Sequence, residues 1–395
     1  MQTDANTFDI DAYAREAAEH RHYLHAHPEP SFEEHETQRY ITNQLRSLGL
    51  DPSPIASTGV TATIVGTRGS AKGKVLLLRA DIDALRLTEE TGLPFASQNP
   101  GVMHACGHDG HTGTLLAVAH WLVDHRDQFG GTVKLLFQPA EEISPGGAEP
   151  CVNAGILQNP DVTFVFGMHL WNTFEFGKVG LRAGTLMAEA DRFELTVMGS
   201  GAHAASPQLG ADPIVAAAQI VTALQTIVSR ETNPLESRVV TIGTIDGGSA
   251  FNIIPQSVRM TGTLRALSRE DAELGAASLR RIVSHTAQAL GTTAEINYEF
   301  GYPPVINSPE SVAFLGPILQ QAVGKDNVVE PEISMGGEDF AYYLQHVPGA
   351  FVFIGTRNEA KGLTAPHHNP KYTFDEDIFP IAVSVLVAVV RGYLS

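Results

Sequence analysis

The sequence of 395 residues is poor in cysteine and in positive charge. Its two cysteines, Cys106 and Cys151, are too few for a disulfide framework, which favours a reducing compartment such as the cytoplasm. Lys and Arg number 26 against 44 Asp and Glu, which gives a net charge of −18. Such a surface repels phosphate backbones and anionic lipids, so we expect neither nucleic acid nor a membrane as a partner.

Long apolar runs are also missing. Residues 1–10 lack a basic stretch followed by an apolar one, so no signal peptide is expected. The longest apolar run, residues 378–390, is shorter than the ~18–20 residues of a membrane-spanning helix and predicts a buried C-terminal helix instead. The composition, 43% hydrophobic and 18% charged, is typical of globular proteins, and the length predicts two or three domains.

The first third of the chain alternates predicted helices with strands that are almost wholly apolar. Strands are predicted at 60–65, 74–79, 132–138 and 162–168, and a helix at 112–128. Apolar strands separated by helices indicate an α/β fold with a mainly parallel sheet covered by helices. Ser31 and Glu34 are predicted to form a capping box ahead of a further helix, which Gly49 closes.

The pattern changes near residue 185. Phe193, Leu195 and Val197 alternate with polar residues, so this strand has one face in water. A helix that begins at Asp212 comes next, followed by strands at 239–243 and 258–265. A second helix begins at Ser268, and a last strand lies at 294–298. This β-α-β-β-α-β order is typical of a ferredoxin-like domain. We therefore predict a catalytic domain formed by residues 1–184 and 303–395, with a ferredoxin-like domain, 185–302, inserted in it.

Side chains that bind metals follow three of the apolar strands. Because the carboxyl ends of parallel strands share one edge of the sheet, these side chains should lie close together. Cys106 and His108 come just before a helix, whose N-terminus should make the Cys106 thiol easier to ionise. The side chains after the strands are Asp81 and Asp83, then Glu141 and Glu142, and then His169.

Each of these residues has a plainer interpretation when it is taken alone. Cys106 could be a small buried hydrophobic residue or a thiol nucleophile, and His169 a hydrogen-bonded core histidine. Glu141 and Glu142 are harder to explain, since adjacent buried carboxylates repel unless a cation or a proton compensates. Thiolate with imidazole favours zinc, whereas carboxylates also admit manganese or cobalt. Two ions about 3.5–4 Å apart would polarise a carbonyl group and activate water.

Eight segments spread over nearly the whole chain carry a resemblance to known proteins. They are 79–85, 103–111, 137–142, 167–169, 201–205, 251–255, 262–266 and 335–340. The longest, Met103-His104-Ala105-Cys106-Gly107-His108-Asp109-Gly110-His111, is highly specific. Together they resemble the amidohydrolase branch of the M20 metallopeptidase family. That branch includes hippurate hydrolases, N-acyl-amino-acid aminoacylases, auxin-conjugate hydrolases and N-acetyl-diaminopimelate deacetylases.

The resemblance implies two divalent metal ions, zinc, manganese or cobalt, held by five residues, with Cys106 as the bridge. Glu141 would be the catalytic base and acid, and Asp81 and Asp83 would lie behind the ligands. Of the neighbours His367 and His368, His368 matches the family's ligand position because it precedes Asn369-Pro370. The five ligands implied are Cys106, His108, Glu142, His169 and His368.

The resemblance also gives the inserted domain a role as a lid and a dimerisation domain. His203 would stabilise the oxyanion from a partner subunit, and Asn252 and Arg265 would hold the substrate carboxylate. We therefore expect a cytoplasmic homodimer, or a dimer of dimers, that hydrolyses small N-acyl-L-amino acids. The alternatives are a dipeptidase or exopeptidase, an N-acetyl-diaminopimelate deacetylase, and a metal-dependent binding protein without activity.

Overall fold

A computed structural model describes residues 10–395 and divides the chain into two units. The larger unit runs up to Leu186 and continues in Ile306–Glu332 and Asp339–Ser395, while the smaller unit contains Met187–Val305 and Ile333–Glu338. The prediction placed residues 333–338 in the catalytic domain, and the structure groups them with the smaller unit instead. Most of the stretch 1–10, where no signal peptide is predicted, lies outside the described residues.

Helices and strands alternate through both units. The elements before the insertion are α1 (Ile10–Ala26), α2 (His35–Ser47), β1 (Ser53–Ile55), β2 (Gly59–Val65), β3 (Val75–Asp81), α3 (His108–Asp124), β4 (Thr132–Gln138), α4 (Ala148–Asn153), β5 (Phe164–Glu175), β6 (Val179–Gly180) and β7 (Gly184–Met187). Those of the insertion are β8 (Glu189–Met198), β9 (Ala202–His203), α5 (Pro213–Thr226), β10 (Arg238–Gly247), β11 (Ile253–Ile254), β12 (Ser257–Ala266), α6 (Arg269–Ala289) and β13 (Thr293–Tyr302). The last are β14 (Val305–Asn307), α7 (Pro309–Val323), β15 (Val328–Val329), α8 (Ala341–Leu344), β16 (Gly349–Arg357) and α9 (Phe379–Tyr393).

A sheet of eight strands organises the larger unit, in the order β1-β2-β4-β3-β5-β16-β6-β15. Strands β4, β3, β5 and β16 are parallel, whereas β2 pairs with β4 in the antiparallel direction. Strand β3 is buried along its whole length, as a strand covered on both faces must be. The predicted α/β fold with a large sheet is confirmed, and the four parallel strands point their carboxyl ends to one edge.

Strand β5 is longer than the predicted strand 162–168. His169 therefore lies inside the strand, opposite Phe353 of β16, and not in a loop after it. Pairing with β16 continues to Glu175, and the Trp171 ring stacks on Phe353 with centroids 4.2 Å apart. The extension holds the His169 backbone in a rigid sheet.

The segment before α2 does not form the predicted capping box. The carboxylate of Glu29 caps the helix instead, accepting hydrogen bonds of 3.1 and 2.8 Å from backbone N–H groups of its first turn. Ser31 donates a 2.6 Å hydrogen bond to Asp83, and the side chain of Glu34 turns towards the loop after β4. The prediction was wrong because contacts distant in the chain replaced the local bonds of the motif.

The predicted C-terminal helix is confirmed as α9, which packs beside α1, α3 and α7. Its side chains Val383, Leu386 and Val390 are buried. Burying a Val or Leu side chain contributes about 1.5–3 kcal/mol, so this helix is a substantial part of the core.

The smaller unit contains an antiparallel sheet in the order β10-β12-β8-β13. Helices α5 and α6 share a hydrophobic core with this sheet, through residues such as Ile220, Leu279 and Phe193. Both helices begin as predicted. Asp212 accepts hydrogen bonds from the first turn of α5, and Ser268 accepts one from the first turn of α6.

Among the described residues, Pro213–Glu231 is the one helical stretch long and apolar enough to cross a membrane, judged by length and composition. Its residues Ala216, Ala217 and Leu224 are buried against the sheet of the smaller unit. The core helix of a soluble protein can have the same length and apolar composition, so this stretch is weak evidence for a membrane span.

Candidate metal centre

Ligand atoms from distant parts of the larger unit meet near the carboxyl ends of its parallel strands. The Cys106 sulfur and one ring nitrogen each of His108 and His169 lie within 4.8 Å of one another. The ligand atoms of Cys106, Glu142 and His368 form a second group of the same size. Cys106 is common to both groups. We call the set the metal-site cluster: Cys106, His108, Glu141, Glu142, His169 and His368.

Glu141 lies beside these ligand atoms. A carboxylate oxygen of Glu141 lies within 4.8 Å of a ring nitrogen of His108 and of a carboxylate oxygen of Glu142. Glu141 is 7% exposed. Two adjacent carboxylates in so dry a space repel each other, and a cation between them would offset the repulsion.

Hydrogen bonds fix which nitrogen of two histidines faces the cluster. Nδ1 of His169 is 2.9 Å from the carbonyl oxygen of Leu170, and Nδ1 of His108 is 2.9 Å from that of Asp83. Because a carbonyl oxygen only accepts, each Nδ1 carries the proton. Each Nε2 therefore faces the cluster, and its lone pair binds a metal ion once no second proton occupies it. Burial holds the pKa of His169 well below its ordinary value, which keeps this ligand neutral.

The Nε2 atom of His108 is buried and, within residues 10–395, has no hydrogen-bond partner. It lies 3.6 Å from Oδ2 of Asp81 and 3.9 Å from Oε1 of Glu142. Burial lowers the pKa of His108, but the carboxylates of Asp81 and Asp83 outweigh this effect and raise the pKa to about 10. These surroundings favour a positive charge at Nε2, which a metal ion would supply in place of the proton.

The expectation that Cys106 ionises readily is wrong for the thiol by itself. Burial and the carboxylates of Glu142 and Glu141 raise the pKa of Cys106 well above its ordinary value. The thiolate needs a cation beside it, which is the property of a metal ligand more than of a free nucleophile.

The structure brings His368 to the cluster and gives His367 a different position. Nε2 of His368 is 3.2 Å from Oε1 of Glu142. Nε2 of His367 is 3.0 Å from the carbonyl oxygen of Leu170, and its ring packs edge-on against His169. His368 has a φ of 61°, in the left-handed region.

Asp81 and Asp83 lie directly behind the histidines. Oδ1 of Asp83 is 3.2 Å from Nδ1 of His108, and Oδ1 of Asp81 is 2.6 Å from Nδ1 of His111. His111, which is not among the predicted site residues, lies one helical turn after His108. Its Nε2 accepts a 2.9 Å hydrogen bond from the Leu170 amide, so His111 links α3 to β5.

A buried carboxylate holds the far end of the loop that carries Glu141. Oδ2 of Asp339 accepts hydrogen bonds from the backbone amides of Gly147 and Ala148 at 3.0 and 2.9 Å. Its Oδ1 accepts one of 2.7 Å from Arg79, which also donates to Asp81. A Cβ on Gly147 would lie 1.8 Å from the Pro139 carbonyl oxygen, so this close approach requires glycine.

Three residues predicted to act on the substrate lie in the smaller unit: His203, predicted to stabilise the oxyanion, and Asn252 and Arg265, predicted to bind the carboxylate. His203, in β9, and Asn252 are exposed, and the Ala204 amide donates a 3.0 Å hydrogen bond to the Asn252 carbonyl oxygen. A cavity of about 710 Å³ beside them is lined by His203, Ile253 and other residues of the same unit. Arg265 is half-buried in β12, and burial lowers its pKa. The structure therefore joins His203 to the Asn252 segment and places Arg265 on a different strand.

Comparison with known proteins identifies close relatives of this chain. Residues 77–392 match the family described as peptidase family M20/M25/M40. The chain is 40% identical over 377 residues to an N-acetyl-L-cysteine deacetylase of Bacillus subtilis (strain 168), covering 95% of this chain and 88% of that protein. It is 39% identical over 364 residues to thermostable carboxypeptidase 1 of Saccharolobus solfataricus, covering 91% of each.

A solved structure has the same fold. The YXEP protein of Bacillus subtilis, described as a dinuclear metal-binding peptidase of the M20 family, superimposes with a TM-score of 0.81. The two are 34% identical, and the match covers 96% of this chain and 98% of that one.

Proposed function

The chain belongs to peptidase family M20/M25/M40, in its amidohydrolase branch, and from this premise we propose that it hydrolyses the amide bond of N-acyl-L-amino acids. The products would be a carboxylic acid and a free amino acid. One observation carries the proposal most directly. Cys106 belongs to two groups of ligand atoms at once, with His108 and His169 on one side and Glu142 and His368 on the other.

We assign the five predicted ligands to two divalent ions, zinc, manganese or cobalt. A buried thiol, three imidazoles and a carboxylate suit these metals, and the buried Nε2 of His108 points into the cluster. Such ions polarise the substrate carbonyl and make water more acidic. The ligands are Cys106, His108, Glu142, His169 and His368.

We assign the proton transfers to Glu141. Its carboxylate would take a proton from the attacking water and then give that proton to the leaving amine nitrogen, so one residue serves both steps. Glu141 itself is buried beside the buried ligand residue His108, which supports this role. Asp81 and Asp83 would keep His111 and His108 in their orientations.

We assign recognition of the substrate to the smaller unit, as a lid. Arg265 would pair with the substrate carboxylate with help from Asn252, and His203 would donate a hydrogen bond to the oxyanion. The strand order of this unit matches the ferredoxin-like arrangement, which supports the predicted domain type.

We also propose a homodimer, or a dimer of dimers, formed through the smaller unit. Strand β10 lies at the edge of its sheet, with Ile245 57% exposed, and Ile214 and Val215 of α5 are also exposed. An exposed strand edge next to apolar side chains favours association. A location in the cytoplasm is supported by Cys106 and Cys151, which are both free thiols.

The similarity to a carboxypeptidase supports a second candidate, an exopeptidase that uses the same cluster. An assay of N-acetyl-, N-benzoyl- and aminoacyl-glycine on metal-loaded protein separates the two candidates. Faster turnover of the two acyl-glycines supports the amidohydrolase, and faster turnover of the dipeptide supports the exopeptidase.

The variant Glu141→Gln tests the mechanism. It removes the base and keeps the size of the side chain, so we expect kcat to fall by at least about 10²-fold while elemental analysis finds the parental metal content. Glu149→Gln, an exposed glutamate of α4, is the matched control and should keep the parental kcat. Turnover by Glu141→Gln at the parental rate would refute the role of Glu141.

A further inference from the structure

Glu34 is a fully buried carboxyl group that the mechanism above does not use. It occupies the position before α2, where a glutamate can cap a helix, but Glu29 caps that helix. The side chain of Glu34 is engaged elsewhere. Its Oε1 accepts a 2.8 Å hydrogen bond from the backbone amide of Ala140, and its Oε2 accepts one from the Thr58 hydroxyl.

Ala140 is the residue directly before Glu141, and its backbone conformation is unfavourable. Its φ is 54°, in the left-handed region that side chains other than glycine rarely adopt. Such a conformation persists where the surroundings hold it. The hydrogen bond to Glu34 holds the amide of this residue, and thus the direction in which the chain enters Glu141.

The amide on the other side of Glu141 is held in a similar way. Oδ2 of Asp83 accepts a 3.0 Å hydrogen bond from the Glu142 amide and a 2.6 Å hydrogen bond from the Ser31 hydroxyl. Both flanking amides of Glu141 are therefore bound by buried carboxyl groups. Both arrangements involve the segment that contains Ser31 and Glu34.

We propose that Glu34 is a positioning residue for amide hydrolysis: by binding the Ala140 amide, it fixes the backbone from which the Glu141 carboxylate reaches the reacting atoms. The role rests on the proposed function. A general base acts only within about 2.6–3.2 Å of its proton, and a displacement of about 1 Å can reduce the rate about 10²-fold.

The hydrogen bond requires an acceptor at the right distance and does not require a charge. Gln at position 34 keeps an acceptor oxygen for the Ala140 amide, and its NH₂ group can donate to Thr58. Asp keeps the carboxyl group, but it is shorter by one carbon–carbon bond, about 1.5 Å. Comparing Glu34→Gln with Glu34→Asp therefore separates the effect of side-chain length from the effect of charge. Both substitutions are conservative enough to preserve the core.

The test compares these variants with Glu29→Asp, which shortens the neighbouring glutamate that caps α2. In metal-loaded protein, Glu34→Asp should reduce kcat about 30- to 100-fold, with KM within about 3-fold of the parent, and with the parental metal content. Glu34→Gln should stay within about 5-fold and Glu29→Asp within about 2-fold of the parental kcat. Hydrogen exchange at the Ala140 amide should become faster in Glu34→Asp alone.

The outcomes separate the two proposals. An active parent whose Glu34→Asp variant keeps the parental kcat would overturn the role of Glu34 alone. A Glu34→Gln variant as slow as Glu34→Asp would also overturn it, because charge and not reach would then matter. A parent inactive on every amide substrate would overturn the proposed function and, with it, the positioning role.

Discussion

The backbone amide of His368 donates a 2.8 Å hydrogen bond to the carbonyl oxygen of Ala105, the residue before Cys106. This bond ties the loop before α9 to the segment before α3. Cys106 and His368, which are far apart in sequence, are thereby held close together by a backbone hydrogen bond.

Substitution of His368 should remove one ligand. Asn tolerates the left-handed backbone at this position, so His368→Asn tests the imidazole and not backbone strain. We expect loss of bound metal in elemental analysis and a kcat lower by at least about 10²-fold. His367→Gln should retain the metal content of the parent. Equal metal loss in the two variants would contradict the choice of His368.

Substitution of Cys106 should disturb both groups of ligand atoms. In Cys106→Ser the oxygen is a poorer ligand for zinc than the thiolate, and it has to replace the sulfur in two groups. We predict fewer metal ions per chain and a kcat lower by at least about 10²-fold. Cys151→Ala changes the other buried thiol and should match the parent in both measurements. A Cys106→Ser variant with full metal content would argue against the shared position of Cys106.

Substitution of Arg265 should weaken binding of the substrate carboxylate. A charge-assisted hydrogen bond contributes about 1.5–3 kcal/mol, so Arg265→Met should raise KM about 10- to 100-fold. Arg259→Met is the control, because Arg259 lies on the same strand but is exposed and pairs with Glu194. If steady-state kinetics gave the same KM for both variants, Arg265 would not bind the carboxylate.

The stability of the larger unit should depend on pH through His25. Burial lowers the pKa of His25, but hydrogen bonds to Asp109 and Glu89 outweigh this effect and raise it to about 9. Because the raised pKa belongs to the folded state, the stabilisation is fully present below the ordinary value of 6.5 and is lost as pH rises through about 9. It should amount to about 3 kcal/mol.

Urea unfolding of the parent and of His25→Gln measures this effect. The difference in free energy of unfolding between them should be larger at pH 6 than at pH 9.5. His27→Gln provides a control nearby, since the His27 ring bonds the Tyr23 carbonyl. A parent-to-variant difference independent of pH would contradict the assignment to His25.

The sequence was most informative where a residue's role depends on local chemistry. The spacing of Cys106 and His108, the pair Glu141 and Glu142, and the apolar strand before Asp81 predicted side chains that the structure brings together. Sequence patterns could identify these because strand ends and helix starts determine where such residues lie.

Prediction was weaker where distant contacts decide the structure. Helix α1 buries His20, Arg21 and His25, so its inner face lacks the apolar periodicity that reveals a helix. Its Arg21 and His25 bond Asp109, which no local pattern indicates. The capping box failed for the same reason, since Ser31 and Glu34 bind residues far along the chain.

The crowding of acidic groups around Cys106 also bears on how long the protein survives in a cell. A cation that binds the native state and not the unfolded chain shifts the folding equilibrium towards the native state. Cellular proteases degrade the unfolded fraction, which grows when that cation is scarce. The abundance of this protein should therefore decline in cells starved of divalent metal, even when its transcript level is unchanged.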